Sequence, residues 1–178
     1  MCGIVGYVGG QEAWPIIFEG LRRLEYRGYD SAGIAVIDDA GQLDVRKAAG
    51  KLENLATLVT NHPMIGHRGM GHTRWATHGP PSDTNAHPHL DETGRIVVVH
   101  NGILENYLAL KAELVANGHA FVSATDTEVI PHLIQEFLAG GSPFDEAVRL
   151  AVGRLQGAHA IACMDTYSPE TMIAARLG

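Results

Sequence analysis

Strand-like segments in this 178-residue chain come in neighbouring pairs, with helical segments grouped between them. Residues 31–38 and 42–48 are rich in small and β-branched side chains, and Asp39-Ala40-Gly41 separates them, which predicts an antiparallel hairpin. A second pair of strands is expected over 158–165 and 171–175. This grouping favours a layered α+β fold over a strictly alternating, doubly wound sheet.

Apolar periodicity and turn residues place the remaining elements. The clearest helix begins at a capping-box pattern, Thr125 with Glu128, and carries apolar residues on one face as far as Leu138. A strand over 95–100 is expected to stop at Asn101-Gly102. The other predicted elements are strands over 2–8 and 66–75, helices over 11–26, 51–60, 106–117 and 142–155, and an irregular loop over 76–90.

Composition narrows the range of partners. The chain is 46% hydrophobic, long enough for one domain with a buried core, and contains no repeat or linker. Its formal charge of −7, with only 13 Lys and Arg residues, argues against a nucleic-acid partner. We therefore expect a small neutral or zwitterionic ligand.

The cysteines and the N-terminus bear on cellular location. Cys2 and Cys163 are too few for a disulfide-rich secreted protein, so we expect two free thiols, with Cys163 in the core. The first basic residue is Arg22, so no basic segment of a signal peptide is present, and the N-terminal apolar run is too short to span a bilayer. We expect a cytoplasmic protein without a membrane partner.

Cys2 is the leading candidate for chemistry. Removal of Met1 would place a free α-amine on the same residue as the thiol, and Gly3 and Gly6 leave space beside it. The amine could then take the thiol proton and return it to a leaving group, as in enzymes with an N-terminal nucleophile. Taken alone, such a cysteine is more often a small residue in a buried strand.

Asn101 and Gly102 follow a run of apolar strand residues. A side-chain amide and an unhindered backbone N–H at the end of a sheet are the parts of an oxyanion hole. The same dipeptide more often forms a tight turn. These residues alone leave both interpretations open.

Residues 71–79, GHTRWATHG, carry more hydrogen-bonding side chains than a structural strand needs. Arg74 offers a planar fork suited to a carboxylate, and Asp126 could bind an ammonium group, so together they would recognise an α-amino acid. A surface arginine and an acidic residue in the first turn of a helix are the alternatives.

Ten histidines also suggest a metal site, with His87-Pro88-His89 close in sequence to His72 and His78. However, no predicted helix carries histidines four residues apart, and the sequence contains no Cys-x-x-Cys pair. We therefore expect no metal and no cofactor, and we interpret His100 and His132 as structural.

Six segments of the chain form a recognisable combination: CGIVGYVG, LRRLEYRGYDSAGIAV, GHTRWATHG, NAHPH, VVHNGILEN and SATDTEVI. Together they resemble the glutaminase domain of the glucosamine-6-phosphate synthase family, within the class II glutamine amidotransferases. The CGI start and the HNG segment are shared more widely among amidotransferases with an N-terminal cysteine. The resemblance runs through essentially the whole chain, and it implies a four-layer αββα N-terminal-nucleophile hydrolase fold.

The resemblance also implies roles for individual residues. Cys2 would attack the side-chain amide of L-glutamine, with its own amine as base and then acid. Asn101 and Gly102 would hold the oxyanion. Arg74 would bind the α-carboxylate of glutamine and Asp126 its α-amine. The remaining assigned positions are Thr77 and His78, which would complete the pocket, Trp75, which would help to close the loop, Arg27, near the nucleophile, and His87, in the glutamine-site and interdomain region.

The resemblance further implies a product and a partner. Hydrolysis would pass through a cysteinyl thioester and release glutamate and ammonia, and a sugar-phosphate isomerase domain would use the ammonia to convert fructose 6-phosphate to glucosamine 6-phosphate. By this resemblance residues 1–178 are an incomplete glutaminase domain, truncated at the C-terminal end, with the isomerase domain absent. We expect an exposed sheet edge to promote homo-oligomers.

Two other functions remain open from the sequence. One is the glutaminase portion of another class II amidotransferase, such as amidophosphoribosyltransferase, although the segment RRLEYRGYDSAG argues against it. The other is a catalytically silent binding domain of the same fold.

Overall fold

Eight strands form two antiparallel sheets in the computed structural model, which describes residues 2–178. The strands are β1 Gly3–Val8, β2 Ser31–Ile37, β3 Leu43–Ala49, β4 Arg68–Arg74, β5 His89–Leu90, β6 Ile96–Gly102, β7 His159–Asp165 and β8 Met172–Leu177. The strand order is β1-β4-β2-β3 in the first sheet and β5-β6-β7-β8 in the second. Both predicted hairpins, β2–β3 and β7–β8, are confirmed.

Five helices cover the outer faces of the sheets. They are α1 Ala13–Leu24, which continues into a 3-10 turn over Glu25–Arg27, α2 Leu52–Asn61, α3 Tyr107–Ala116, α4 Val129–Ala139 and α5 Phe144–Arg154. Among residues 2–178, none of these helices is long and apolar enough to cross a membrane.

Alternating side chains divide the core into three parts. In β2, Ile34 and Val36 pack with residues of α1 and α2, whereas Ala35 and Ile37 face the second sheet. The second sheet follows the same rule, because successive residues of a strand point to opposite faces. The corresponding residues of β6 are Ile96 and Val98 on the side of α3, α4 and α5, and Val97 and Val99 between the sheets. The result is the predicted α+β fold in four αββα layers.

The predicted capping box is wrong. Helix α4 begins at Val129, and the Thr125 side chain caps nothing, since its hydroxyl group contacts Ser123 and His89 instead. Glu128 is the residue before the helix, and its carboxylate accepts backbone hydrogen bonds from the preceding segment. Residues 123–128 are therefore a separate segment held against the core, and Asp126 does not open a helix.

Two further boundaries differ from prediction. Asn101 and Gly102 are the last two residues of β6, aligned with Ala160 and His159 of β7, so they do not form a tight turn. The predicted irregular loop over 76–90 ends in a two-residue strand, β5, which pairs with β6.

Candidate active site

Cys2 lies directly before β1, where the ends of β4 and β6 meet. Its Sγ atom accepts a hydrogen bond from the backbone N–H of Trp75 at 3.2 Å. Its carbonyl oxygen accepts one from Nδ2 of Asn101 at 3.4 Å. These two bonds hold the residue against both strand ends, and its side chain is partly exposed. Met1, and with it the predicted removal that would free the amine, lies outside the described residues.

Two cavities meet at Cys2. The inner pocket has a volume of about 30 Å³, and the outer cleft has a volume of about 720 Å³. Cys2, Trp75, Thr77 and Gly102 line both. The inner pocket is also lined by His72, Arg74, His87, His100, Thr125, Asp126 and Thr127, and the outer cleft by Arg27, Asn101, Ile103, Glu105 and Ala158.

Arg74 supplies a buried positive charge to the inner pocket. Its guanidinium donates to the carbonyl oxygens of His78, of Gly79 at 3.0 Å and of Pro80 at 3.4 Å. Burial lowers the pKa of Arg74 below its ordinary value, an effect opposed by the nearby acidic groups. A guanidinium has five N–H donors, and these bonds to the loop occupy three of them.

Asp126 supplies the opposite charge to the same pocket. Its Oδ2 atom accepts a hydrogen bond from the backbone N–H of Leu104 at 2.9 Å, and its Oδ1 atom lies 3.9 Å from Nδ1 of His78. Within residues 2–178, that ring nitrogen is buried without a hydrogen-bond partner. An ammonium group placed here would meet an oriented carboxylate.

His72 orients the amide of Asn101. Its Nε2 atom lies 2.8 Å from Asn101 Oδ1, which leaves the Asn101 NH₂ group on the side of Cys2. Burial lowers the pKa of His72 to about 4, so the ring is neutral at pH 7 and carries one N–H. Because Asn101 presents its oxygen to the ring, that N–H is on Nε2.

Gly102 must be a glycine for steric reasons. Its φ angle is +133°, and a Cβ atom there would lie 2.3 Å from the carbonyl oxygen of Ala158 and 3.1 Å from His100 Nε2. The backbone can therefore pass this close to Ala158 and His100 only without a side chain at this position.

His87 lies beneath the inner pocket in a chain of polar contacts. Its Nδ1 atom accepts the backbone N–H of His100 at 3.3 Å, and its Nε2 atom lies 3.3 Å from the hydroxyl of Thr127. The ring stacks on that of His72 at a centroid distance of 4.2 Å. Burial lowers the pKa of His87 well below its usual value, so this floor of the pocket is neutral.

The loop after β4 is anchored beside Cys2. The Asp30 carboxylate accepts the backbone N–H of Ala76, and the Asp30 backbone N–H donates to Arg74 O at 2.7 Å. Trp75 is 54% exposed, and its ring packs over Gly28. Arg27, in the 3-10 turn, lines the outer cleft.

The structure brings together all ten residues that the sequence analysis singled out. Nine line the two cavities, and the tenth, His78, lies beside Asp126. Their roles in catalysis and binding remain predictions. Two contacts at the site could not be predicted, those of His72 with Asn101 and of Asp30 with Ala76, because the partners are 29 and 46 residues apart and leave no local pattern.

Comparisons relate this chain to known proteins. A family model described as "glutamine amidotransferase domain" matches residues 72–177. A glutamine–fructose-6-phosphate aminotransferase (isomerizing) from Streptomyces coelicolor is 53% identical over 177 residues, which are 99% of this chain and 29% of that protein. The protein of the same name from Escherichia coli is 52% identical over 178 residues, again 29% of its length. This chain therefore spans less than a third of these curated relatives.

A solved structure extends the comparison to the fold. The glutamine phosphoribosylpyrophosphate amidotransferase from B. subtilis superposes with a TM-score of 0.82 at 30% identity. The match covers 99% of this chain and 37% of that one.

Proposed function

Because this chain belongs to the glutamine amidotransferase domain family, we propose that it hydrolyses L-glutamine to glutamate and ammonia, with Cys2 as the nucleophile. The observation that carries the proposal is that Cys2 lines one pocket together with Arg74 and Asp126, and that the Asn101 amide donates to the backbone carbonyl of Cys2. An α-amino acid carries the two opposite charges that such a pocket would bind.

The proposed reaction has two halves. The α-amine of Cys2 takes the thiol proton, the sulfur attacks the side-chain amide carbon, and the N–H groups of Asn101 and Gly102 stabilise the oxyanion that forms. The C–N bond then breaks, and ammonia leaves with a proton delivered by the α-amine of Cys2. Water hydrolyses the resulting thioester, which releases glutamate and regenerates the thiol. The α-amine of Cys2 is free to act in this way only after Met1 has been removed.

Glutamine binding requires the inner pocket to widen. A volume of about 30 Å³ holds about two water molecules. We infer that the carbonyl oxygens of His78, Gly79 and Pro80 release Arg74 when the glutamine carboxylate replaces them. The exposed Trp75 lies on the same loop as these carbonyl groups, so its side chain would move with the loop.

The acceptor of the ammonia is a second part of the proposal. Identities of 52–53% to proteins named glutamine–fructose-6-phosphate aminotransferase, against 30% to the phosphoribosylpyrophosphate amidotransferase, favour fructose 6-phosphate as the acceptor. Residues 1–178 would then be the glutaminase part of a longer enzyme, and the isomerase domain would be another part of that enzyme, outside these residues. The two free thiols fit the cytoplasmic location proposed with it.

Release of ammonia from glutamine by the purified protein tests hydrolysis directly. Cys2→Ala should abolish it, whereas Cys163→Ala should not, because Cys163 is buried and its thiol pKa is raised to about 12. Asp126→Asn should raise KM for glutamine and leave activity toward glutaramide, which lacks the amino acid head, unchanged. Ammonia release that survives Cys2→Ala would reject the proposal, and complete inactivity of the processed chain would favour the silent binding domain.

A further inference from the structure

Two histidines and a glutamate cluster where the β5–β6 turn meets helices α3 and α4. Glu92 lies in the turn, His119 follows α3, and His132 is in the first turn of α4. The ligand atoms that these side chains offer lie within 4.8 Å of one another. Imidazole nitrogens with one carboxylate are a ligand set that zinc uses.

Both histidines direct the same ring atom at Glu92. His119 Nδ1 lies 2.9 Å from Glu92 Oε1, and His132 Nδ1 lies 2.6 Å from Glu92 Oε2. The two rings are 5.1 Å apart and tilted by 62°. Two imidazole nitrogens and both oxygens of one carboxylate therefore converge on a single position.

Each ring has a second carboxylate at its other nitrogen. His119 Nε2 lies 3.4 Å from Glu136 Oε1, and His132 Nε2 lies 3.8 Å from Glu128 Oε1. Hydrogen bonds hold these carboxylates, from Asn117 to Glu136 and from two backbone N–H groups to Glu128. A carboxylate behind each histidine is the arrangement that orients metal-binding imidazoles.

His132 shows why a cation is needed. Its side chain is 1% exposed, and in the described part of the chain neither ring nitrogen has a hydrogen bond of normal geometry. A neutral imidazole carries one N–H and cannot donate to carboxylates on both sides. The remaining lone pair would face a carboxylate, which is unfavourable unless a cation, either a metal ion or a second ring proton, lies between them.

We propose that Glu92, His119 and His132 form a binding site for a divalent transition metal ion, for which Zn²⁺ is the best match. The two Nδ1 atoms and the Glu92 carboxylate supply three ligands, and each Nε2–H then faces its own carboxylate. The Glu92 side chain is 33% exposed, so water can reach the fourth position. The ion would fasten α4 to the β5–β6 turn, beside the segment that carries Asp126.

This site departs from the expectation of no metal ligands. Its members are separated by 27 and 13 residues, so no short spacing marks them in the sequence. That expectation rested on the absence of helical histidines four residues apart and of a Cys-x-x-Cys pair. The histidines near His87, which had suggested a metal, contact one another and threonine hydroxyls.

Calorimetric titration of metal-free, untagged protein with Zn²⁺ tests the proposal. The titration uses the Cys2→Ser background, so that the exposed thiol cannot bind the ion. We expect one Zn²⁺ per chain. At a free metal concentration about a hundred times Kd, the midpoint of thermal unfolding should rise by about 5–10 °C. The absence of saturable one-to-one binding would overturn the proposal, because the cluster would then be an ion-pair network satisfied by protons.

Single substitutions locate the ion. Glu92→Gln and His119→Ala lie at partly exposed positions, and each should weaken Zn²⁺ binding at least about 100-fold, while Glu136→Gln should weaken it about 10- to 100-fold. His67→Ala is the matched control, because His67 pairs with Asp39 at 3.3 Å outside the cluster. Circular dichroism of the metal-free variants checks the fold. Unchanged affinity in both Glu92→Gln and His119→Ala would overturn the assignment.

Discussion

The Nε2 atom of His72 lies 2.8 Å from the Oδ1 atom of Asn101, and this contact determines which end of the Asn101 amide faces Cys2. An amide turned by 180° would present its oxygen to the developing oxyanion and repel it. His72 is therefore a positioning residue for the proposed hydrolysis, acting through Asn101.

We expect His72→Ala to lower kcat for glutamine hydrolysis by about 10- to 1,000-fold with little change in KM, because an oxyanion donor acts in the transition state. Steady-state ammonia release gives both constants. Asn101→Ala should have a similar effect, and the double variant should be hardly slower than Asn101→Ala alone. Losses that multiply in the double variant would show that His72 does not act through Asn101.

Buried histidines should make folding stability depend on pH. Burial lowers the pKa from 6.5 to about 4 for His72 and His100, to about 3 for His89, and well below 6.5 for His87. Between pH 6.5 and 4 the unfolded chain therefore binds more protons than the folded chain. Stability is complete above about pH 6.5 and falls with decreasing pH, by up to roughly 1.4 kcal/mol per pH unit for each histidine.

Urea unfolding near pH 7.5 and near pH 5 measures this dependence. His89→Gln should reduce the pH dependence of the free energy of unfolding by about the contribution of one histidine. His62→Gln, at an exposed position, should leave the slope unchanged. A free energy of unfolding that is the same at both pH values would contradict the account.

Gly102→Ala should both destabilise the fold and impair hydrolysis. The added methyl group would meet the Ala158 carbonyl oxygen at 2.3 Å, and the φ angle of +133° is strained for any side chain. We expect a loss of about 2 kcal/mol or more in the free energy of unfolding by urea titration. Gly118→Ala is the control, because φ there is +101° but the space is open. Equal losses in the two variants would show that the close approach to Ala158 does not matter.

Self-association remains a prediction that light scattering can test. Strand β8 is an edge of the second sheet, and its Leu177 side chain is 58% exposed. An unpaired edge with apolar side chains favours pairing with a second copy. Gel filtration with light scattering should show dimers or larger species, and Ala174→Lys on this strand should reduce them. A monomer at all protein concentrations would contradict the prediction.

Much of the fold follows from local sequence patterns. The two strands of the hairpin over residues 31–49 are rich in small and β-branched side chains, and Asp39-Ala40-Gly41 lies at the turn between them. The position of the hairpin was therefore predictable. Helix α5 begins directly after Pro143, as the sequence indicates. Local propensity and tertiary packing agree at these elements.

Tertiary contacts override local patterns around Asp126. Thr125 and Glu128 have the spacing of a capping box, but His89 and the backbone of Val122 and Ser123 compete for their side chains. The helix consequently starts later. Contacts between distant residues, such as those of His72 and His119, are set by the packing of whole layers and leave no periodic signal in the sequence.

The most direct test of the central claim is mass spectrometry of the protein after incubation with 6-diazo-5-oxo-L-norleucine, an electrophilic analogue of glutamine. The account predicts one adduct per chain, mapped to Cys2 of a chain that lacks Met1, with none on the buried Cys163 and with protection by L-glutamine. A chain that lacks Met1 and stays unmodified, or that is labelled at Cys163 instead, would contradict the assignment of Cys2 as the nucleophile of a glutamine-binding site.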